Sequence, residues 1–82
     1  MRVTFGVIGG DRRQAELARL LEEEGRPVWT YGVSGLPDTL DQAVTADVVI
    51  LPLPLCRKEG ILNCETTDLP AAALFRRFRP DQ

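Results

Sequence analysis

A glycine pair followed by charged residues, Gly9-Gly10-Asp11-Arg12-Arg13-Gln14, is the stretch of this chain best equipped for chemistry. An apolar run ends at Ile8 and an amphipathic pattern begins after Asp11, so these residues read as strand end, tight turn and helix start. The first amides of a helix lack intrahelical partners and carry partial positive charge, which makes such a turn a natural anion site. A guanidinium beside it would add two parallel donors, a geometry suited to a small carboxylate. Arg12 and Arg13 also have a plainer reading as solvated side chains, in a position the helix dipole disfavours for cations. Asp11 has the same two readings, of which the plain helix cap is the favoured one.

The turn is a poor match for a dinucleotide. A Gly-x-Gly-x-x-Gly fingerprint laid on Gly9 puts Asp11 and Gln14 at its second and third glycines. A carboxylate there would face and repel a pyrophosphate, and the small residue for close helix packing is missing. The second apolar run ends in Tyr31-Gly32, with no acid to hold a ribose. No nucleotide is therefore expected at this turn.

Other chemistry is thinly represented. The chain has no histidine, which removes serine–histidine and cysteine–histidine nucleophile pairs and leaves carboxylates, Lys58 and Tyr31 for acid–base work. Cys56 and Cys64, with seven residues between them, fit no common zinc spacing and read as reduced thiols. Pro52-Leu53-Pro54 follows the third apolar run and falls on the same rim as the glycine turn, where open parallel sheets bind ligands; its plainer reading is a rigid strand exit. Arg57, Lys58 and Asn63 on the next loop are within reach of such a rim. Arg76, Arg77 and Arg79 read as a solvated helix end.

The elements that must position these residues alternate. Val3 to Ile8, Pro27 to Tyr31 and Asp47 to Leu51 are nearly all apolar and read as strands covered on both faces. Arg12 to Glu24 carries Ala15, Leu17, Ala18, Leu20 and Leu21 at helical spacing, with Asp11 and Gln14 as a capping box and Gly25 as its stop. Asp38 to Thr45 reads as a short helix capped by Asp38, with Leu40, Ala43 and Val44 inward. A polar loop is expected from Pro54 to about Thr67, then a last helix capped by Asp68, with Pro70 in its first turn, running to Phe78. The fold class is α/β: a small three-layer Rossmann-like (flavodoxin-like) domain with a short parallel sheet, β-α-β-α-β-α. Three strands leave an open edge, which invites association, so a truncated domain or an edge-paired homo-oligomer is expected.

Composition sets outer bounds. At 82 residues, 44% of them hydrophobic, the chain is one small domain, burying roughly 60% of its unfolded surface. No apolar run approaches the ~20 residues of a membrane span. A net charge of −2 gives no pull toward nucleic acid. The first residues lead straight into a strand without a signal-peptide pattern, so a cytoplasmic protein is expected.

Gly-Val-Ile-Gly-Gly-Asp-Arg-Arg-Gln (Gly6 to Gln14) and Val-Val-Ile-Leu-Pro-Leu-Pro (Val48 to Pro54) together resemble the N-terminal domain of the A subunit of dipicolinate synthase. Gly9, Gly10, Asp11, Arg13 and Gln14 match that family's motif, and Arg12 falls at its variable position. The resemblance implies a substrate-side domain like that of 2-hydroxyacid-dehydrogenase-like proteins. It further implies a C-terminal domain, absent from these residues, that carries NAD(P). The implied activity is oxidative formation of dipicolinate from a dihydrodipicolinate-type precursor, together with the flavoprotein-like B subunit of dipicolinate synthase, in the mother-cell cytoplasm of a spore-forming bacterium. It also implies that residues 1–82 are a partial N-terminal domain, inactive alone and holding no cofactor. The substrate-binding candidates are then Gly9, Gly10, Asp11, Arg12, Arg13, Gln14, Pro52, Pro54 and Asn63, facing a dicarboxylate; no metal site and no catalytic base are assigned.

A reading from another class is a non-catalytic α/β interaction module whose sheet edge or helix face binds a partner. It predicts no small-molecule site. A phosphoacceptor receiver is set aside because the third strand ends in Leu51-Pro52 rather than an aspartate.

Overall fold

A computed structural model describes residues 3–52, 54–64 and 69–82. Leu53 of the Pro-Leu-Pro turn, the expected cap Asp68 and the side chains of Arg57 and Lys58 lie outside the described residues.

Three parallel strands form the centre: β1 (Phe5–Ile8), β2 (Val28–Tyr31) and β3 (Val48–Ile50), in the order β2-β1-β3. This is the order of the first three strands in a flavodoxin-like sheet. Side chains of β1 alternate between two cores. Val7 joins Ala15 and Ala18 of helix α1 (Arg12–Glu23) together with Val33. On the opposite face Ile8 joins Ala43 and Val44 of helix α2 (Leu40–Val44) and Leu74 of helix α3 (Ala71–Phe75). The sheet is thus covered on both faces, giving the expected three layers.

Helix α1 ends as its sequence predicts. Gly25 has φ +80°; its N–H donates to Glu22 O and that of Arg26 to Leu21 O, the paired bonds of a Schellman motif. The capping box at the other end does not form. The Asp11 carboxylate accepts from Arg13 N, one residue short of Gln14, and the Gln14 amide nitrogen has no partner. The helix carries Arg12 and Arg13 in its first turn and Glu22 and Glu23 in its last, with no acid at the start and no base at the end. Every one of these charges opposes the helix macrodipole.

Helix α2 begins two residues later than expected. Asp38 does not cap it; its carboxylate accepts from Gly32 N at 2.9 Å. Thr39 takes the cap position without a side-chain cap bond, because its hydroxyl is engaged with Thr30 in both directions. With Thr39 N also donating to Thr30 O, this loop covers part of the outer edge of β2. The third strand is less buried than its composition suggests: Val48 is 39% exposed. It is an edge strand; α1 packs mainly on β1 and β2, and only Ile50 of β3 reaches the same cluster.

The stretch expected as a loop after Pro54 is a small antiparallel hairpin, β4 (Cys56–Lys58) and β5 (Ile61–Leu62), reversed at Glu59-Gly60. Gly60 has φ +75°, which supplies the turn. Leu62 is fully buried in the core that holds Ile8 and Leu74, so tertiary packing rather than strand length sustains the hairpin. Helix α3 then starts behind Pro70, which stands at its N-cap.

Thr4 and Asp47 join the starts of β1 and β3. The Asp47 carboxylate accepts from Thr4 N at 2.9 Å and from Thr4 Oγ1 at 3.1 Å, while Asp47 N donates to Thr4 Oγ1. The Thr4 backbone N–H, then the hydroxyl, hold the Asp47 carboxyl below its ordinary 3.8. A carboxyl depressed by folding stabilises above its unfolded value and loses that contribution as pH falls through its folded value. Thermal unfolding of the chain should therefore show a midpoint that drops from about pH 5 toward about pH 3, with a shallower drop in Asp47→Asn. Equal slopes for the two proteins would show that Asp47 is not a source of acid sensitivity.

Candidate functional site

The carboxyl ends of β1 and β3 meet where the strand order changes direction, the position at which open α/β sheets place ligands. A cavity of about 210 Å³ opens there, lined by Gly10, Asp11, Arg13, Gln14 and Leu51. Four of these five are motif residues singled out in the sequence. Leu51 lies in the second resembling stretch but is not among the binding candidates; the available signal is its place at the end of the third apolar run. Another hollow, of 160 Å³, is mostly apolar and lies beside β2 among residues such as Ala18, Val28, Leu36 and Pro37. Arg19, Glu22, Thr30 and Thr39 also stand in its wall, but both threonine hydroxyls are spent on backbone partners and the hollow lies away from the strand-order switch, so the rim cavity is the better candidate.

Gly9 and Gly10 both adopt left-handed backbone, φ +66° and +90°, which turns the chain from β1 into α1. Their amides are already engaged. Gly9 N donates to Tyr31 O at 2.7 Å, and Gly10 N donates to Asn63 O at 2.5 Å. A Cβ on Gly9 would stand 2.7 Å from that same Asn63 carbonyl, so glycine is needed for the hairpin to approach. Asn63 in turn donates from Nδ2 to Pro54 O and from N to Leu55 O, fixing the hairpin's exit. Pro52 is buried, and its ring lies close to Gly9. Pro54 is exposed, and neither proline lines the cavity.

The charged part of the site is one ion pair. Arg13 Nη2 lies 3.1 Å from Asp11 Oδ2 and Nε 3.3 Å from Oδ1, with the Arg13 side chain 78% exposed. Hydrogen bonds from the Arg13 side chain, then its backbone N–H, hold the Asp11 carboxyl below its usual range; the same contact raises Arg13. Both stay ionised through neutral pH. A guanidinium has five N–H donors, and Asp11 uses two of them, so Arg13 retains donors for a second carboxylate. Arg12 is exposed and does not line the cavity.

Gln14 contributes its stem to the wall beside Gly10, where a Cβ would strike it. Its Nε2 is sealed and unpartnered. An unmet buried donor of this kind costs about 1–3 kcal/mol. A change of its terminal torsion is the simplest movement that would bring the amide into use.

These residues do not fit a pyrophosphate. The Gly10 amide is taken by Asn63 and the Arg13 amide by the Asp11 carboxylate, so the turn offers neither donor to a phosphate. Among the described residues no group of acids and cysteines is placed to hold a metal, and no helix is long and apolar enough to cross a membrane.

The sequence profile of the N-terminal domain of the dipicolinate synthase A subunit matches residues 4–78. The chain belongs to this family. The matched stretch takes in every residue that lines the rim cavity and the whole hairpin. No curated protein and no solved structure gives a match.

Proposed function

We propose that this domain supplies the substrate-side wall for dipicolinate synthesis, with the rim cavity receiving one carboxylate of a dicarboxylate precursor. The observation that carries this reading is the convergence of the family's motif residues Gly10, Asp11, Arg13 and Gln14 on one cavity at the strand-order switch. Arg13 pairs with the carboxylate, and Asp11 orients the guanidinium by its two-point contact. With the Gly9 and Gly10 amides committed to the fold, recognition falls on side chains rather than on a backbone anion cradle. The oxidation itself belongs to an NAD(P)-binding domain of the complete dipicolinate synthase, in which the A and B subunits act together in the mother-cell cytoplasm. No residue of this chain is assigned a redox role.

Titrating dipicolinate into the ¹⁵N-labelled chain tests the site. Shifts should cluster at Gly10 to Gln14 and at Leu51, and Arg13→Ala should remove them. In a complete enzyme carrying this domain, Arg13→Ala should raise KM for the precursor about tenfold with little change in kcat, the pattern of lost substrate binding. An unchanged KM would end the assignment of Arg13.

A further inference from the structure

We propose that two copies of this chain pair through the outer face of α1, antiparallel about a two-fold axis, rather than through the sheet edge. The solvent face of α1 carries two stripes. One holds Leu17 and Leu20, the latter 53% exposed, between Arg13 and Glu24; the other is Arg12, Glu16, Arg19 and Glu23, all exposed. A shallow hollow of about 290 Å³ lies between them, lined by Glu16, Leu17, Arg19, Leu20 and Glu23.

Both stripes complement themselves when reversed. Laid antiparallel on its own copy, the second stripe sets Arg12 against Glu23 and Glu16 against Arg19, each pair formed twice. The first stripe sets Leu17 against Leu20 under the same operation. A two-fold interface needs this self-complementarity, and a parallel arrangement would oppose like charges instead. The charge order of α1, basic at its start and acidic at its end, runs against its own dipole. An antiparallel copy places Arg12 of one chain beside Glu23 of the other, so these two misplaced charges each meet one of opposite sign. Glu16, Arg19 and Glu23 form no ion pair among the described residues, so they are available to a partner.

The contact is small. A helix of 12 residues is about 18 Å long, too short for one helix face to bury the ~1,200 Å² at the low end of standard interfaces. The dimer is accordingly weak, with Kd on the order of 100 µM at low salt.

Sedimentation equilibrium on the 82-residue chain, from about 10 to about 500 µM, reads the association directly. Glu16→Arg and Arg19→Glu should each weaken the dimer about tenfold, and the double exchange Glu16→Arg/Arg19→Glu should restore it. Leu20→Arg should leave only monomer. These side chains are exposed, and far-UV circular dichroism confirms that each variant is folded. A chain that stays monomeric throughout the range overturns the proposal. So does a double exchange no tighter than its parents, or a dimer indifferent to Leu20→Arg.

Discussion

Gly6→Ala is expected to unfold most of this domain at temperatures where the parent chain is intact. Gly6 lies in the central strand, paired with Trp29 on one side and Val49 on the other. A Cβ there would fall on the Ala43 carbonyl oxygen, 3.0 Å from its carbon and 3.1 Å from the Ala43 Cα. These are backbone atoms of α2, so no side-chain rotation relieves the clash. Either β1 leaves its register with two neighbours or α2 lifts from the sheet and exposes Ala43 and Val44, now 0% and 2% accessible. Overpacking of this kind costs roughly 3 kcal/mol or more, and a domain of this size has only about 4–12 kcal/mol in all. The thermal midpoint should fall by about 12–24 °C, at 4–8 °C per kcal/mol. Gly25→Ala is the comparison: a Cβ there meets nothing within 4 Å, and only its φ of +80° is unfavourable. That variant should lose about 1 kcal/mol. If the two alanines shift the midpoint equally, close packing of α2 on Gly6 is not what holds these layers together.

The contrast between these glycines shows what a sequence exposes and what it hides. Gly25 could be read as a helix stop because the signal is local: a periodic apolar stretch ends and a residue tolerant of positive φ follows. Gly6 looks like an ordinary member of an apolar strand, since the carbonyl that demands it comes from α2. The three strands and α1 were legible because their apolar patterns agree with the layers that bury them. The hairpin was not, because strands of three and two residues are too short to show a period and depend on Leu62 finding Ile8 and Leu74. At the site, the residues clustered in sequence are also clustered in space. Leu51 joins them only through β1–β3 pairing. The Gly10 amide looked vacant because its acceptor, Asn63, is on a segment that reads as loop.

That bond makes the hairpin part of the site, and Leu62→Ala separates its contribution from that of the sheet. Leu62 is fully buried against Ile8, Ala43, Val44, Cys64 and Leu74. Truncating such a leucine costs about 2–5 kcal/mol, through lost transfer energy and the cavity left behind. Leu20→Ala, at an exposed position, should change monomer stability by less than about 0.5 kcal/mol. The distinguishing result is local. Gly9 N is bonded to Tyr31 O within the sheet, whereas Gly10 N is bonded across to Asn63 O. Once Leu62 no longer anchors β5, the hairpin should open more readily than the sheet melts. Amide hydrogen exchange in Leu62→Ala should then accelerate at Gly10 by a larger factor than at Gly9. Equal acceleration would mean that hairpin and sheet open as one unit. Faster exchange at Gly10 alone would mean that the wall of the candidate site is held closed by a segment distant in sequence, so its shape depends on how firmly Leu62 is packed.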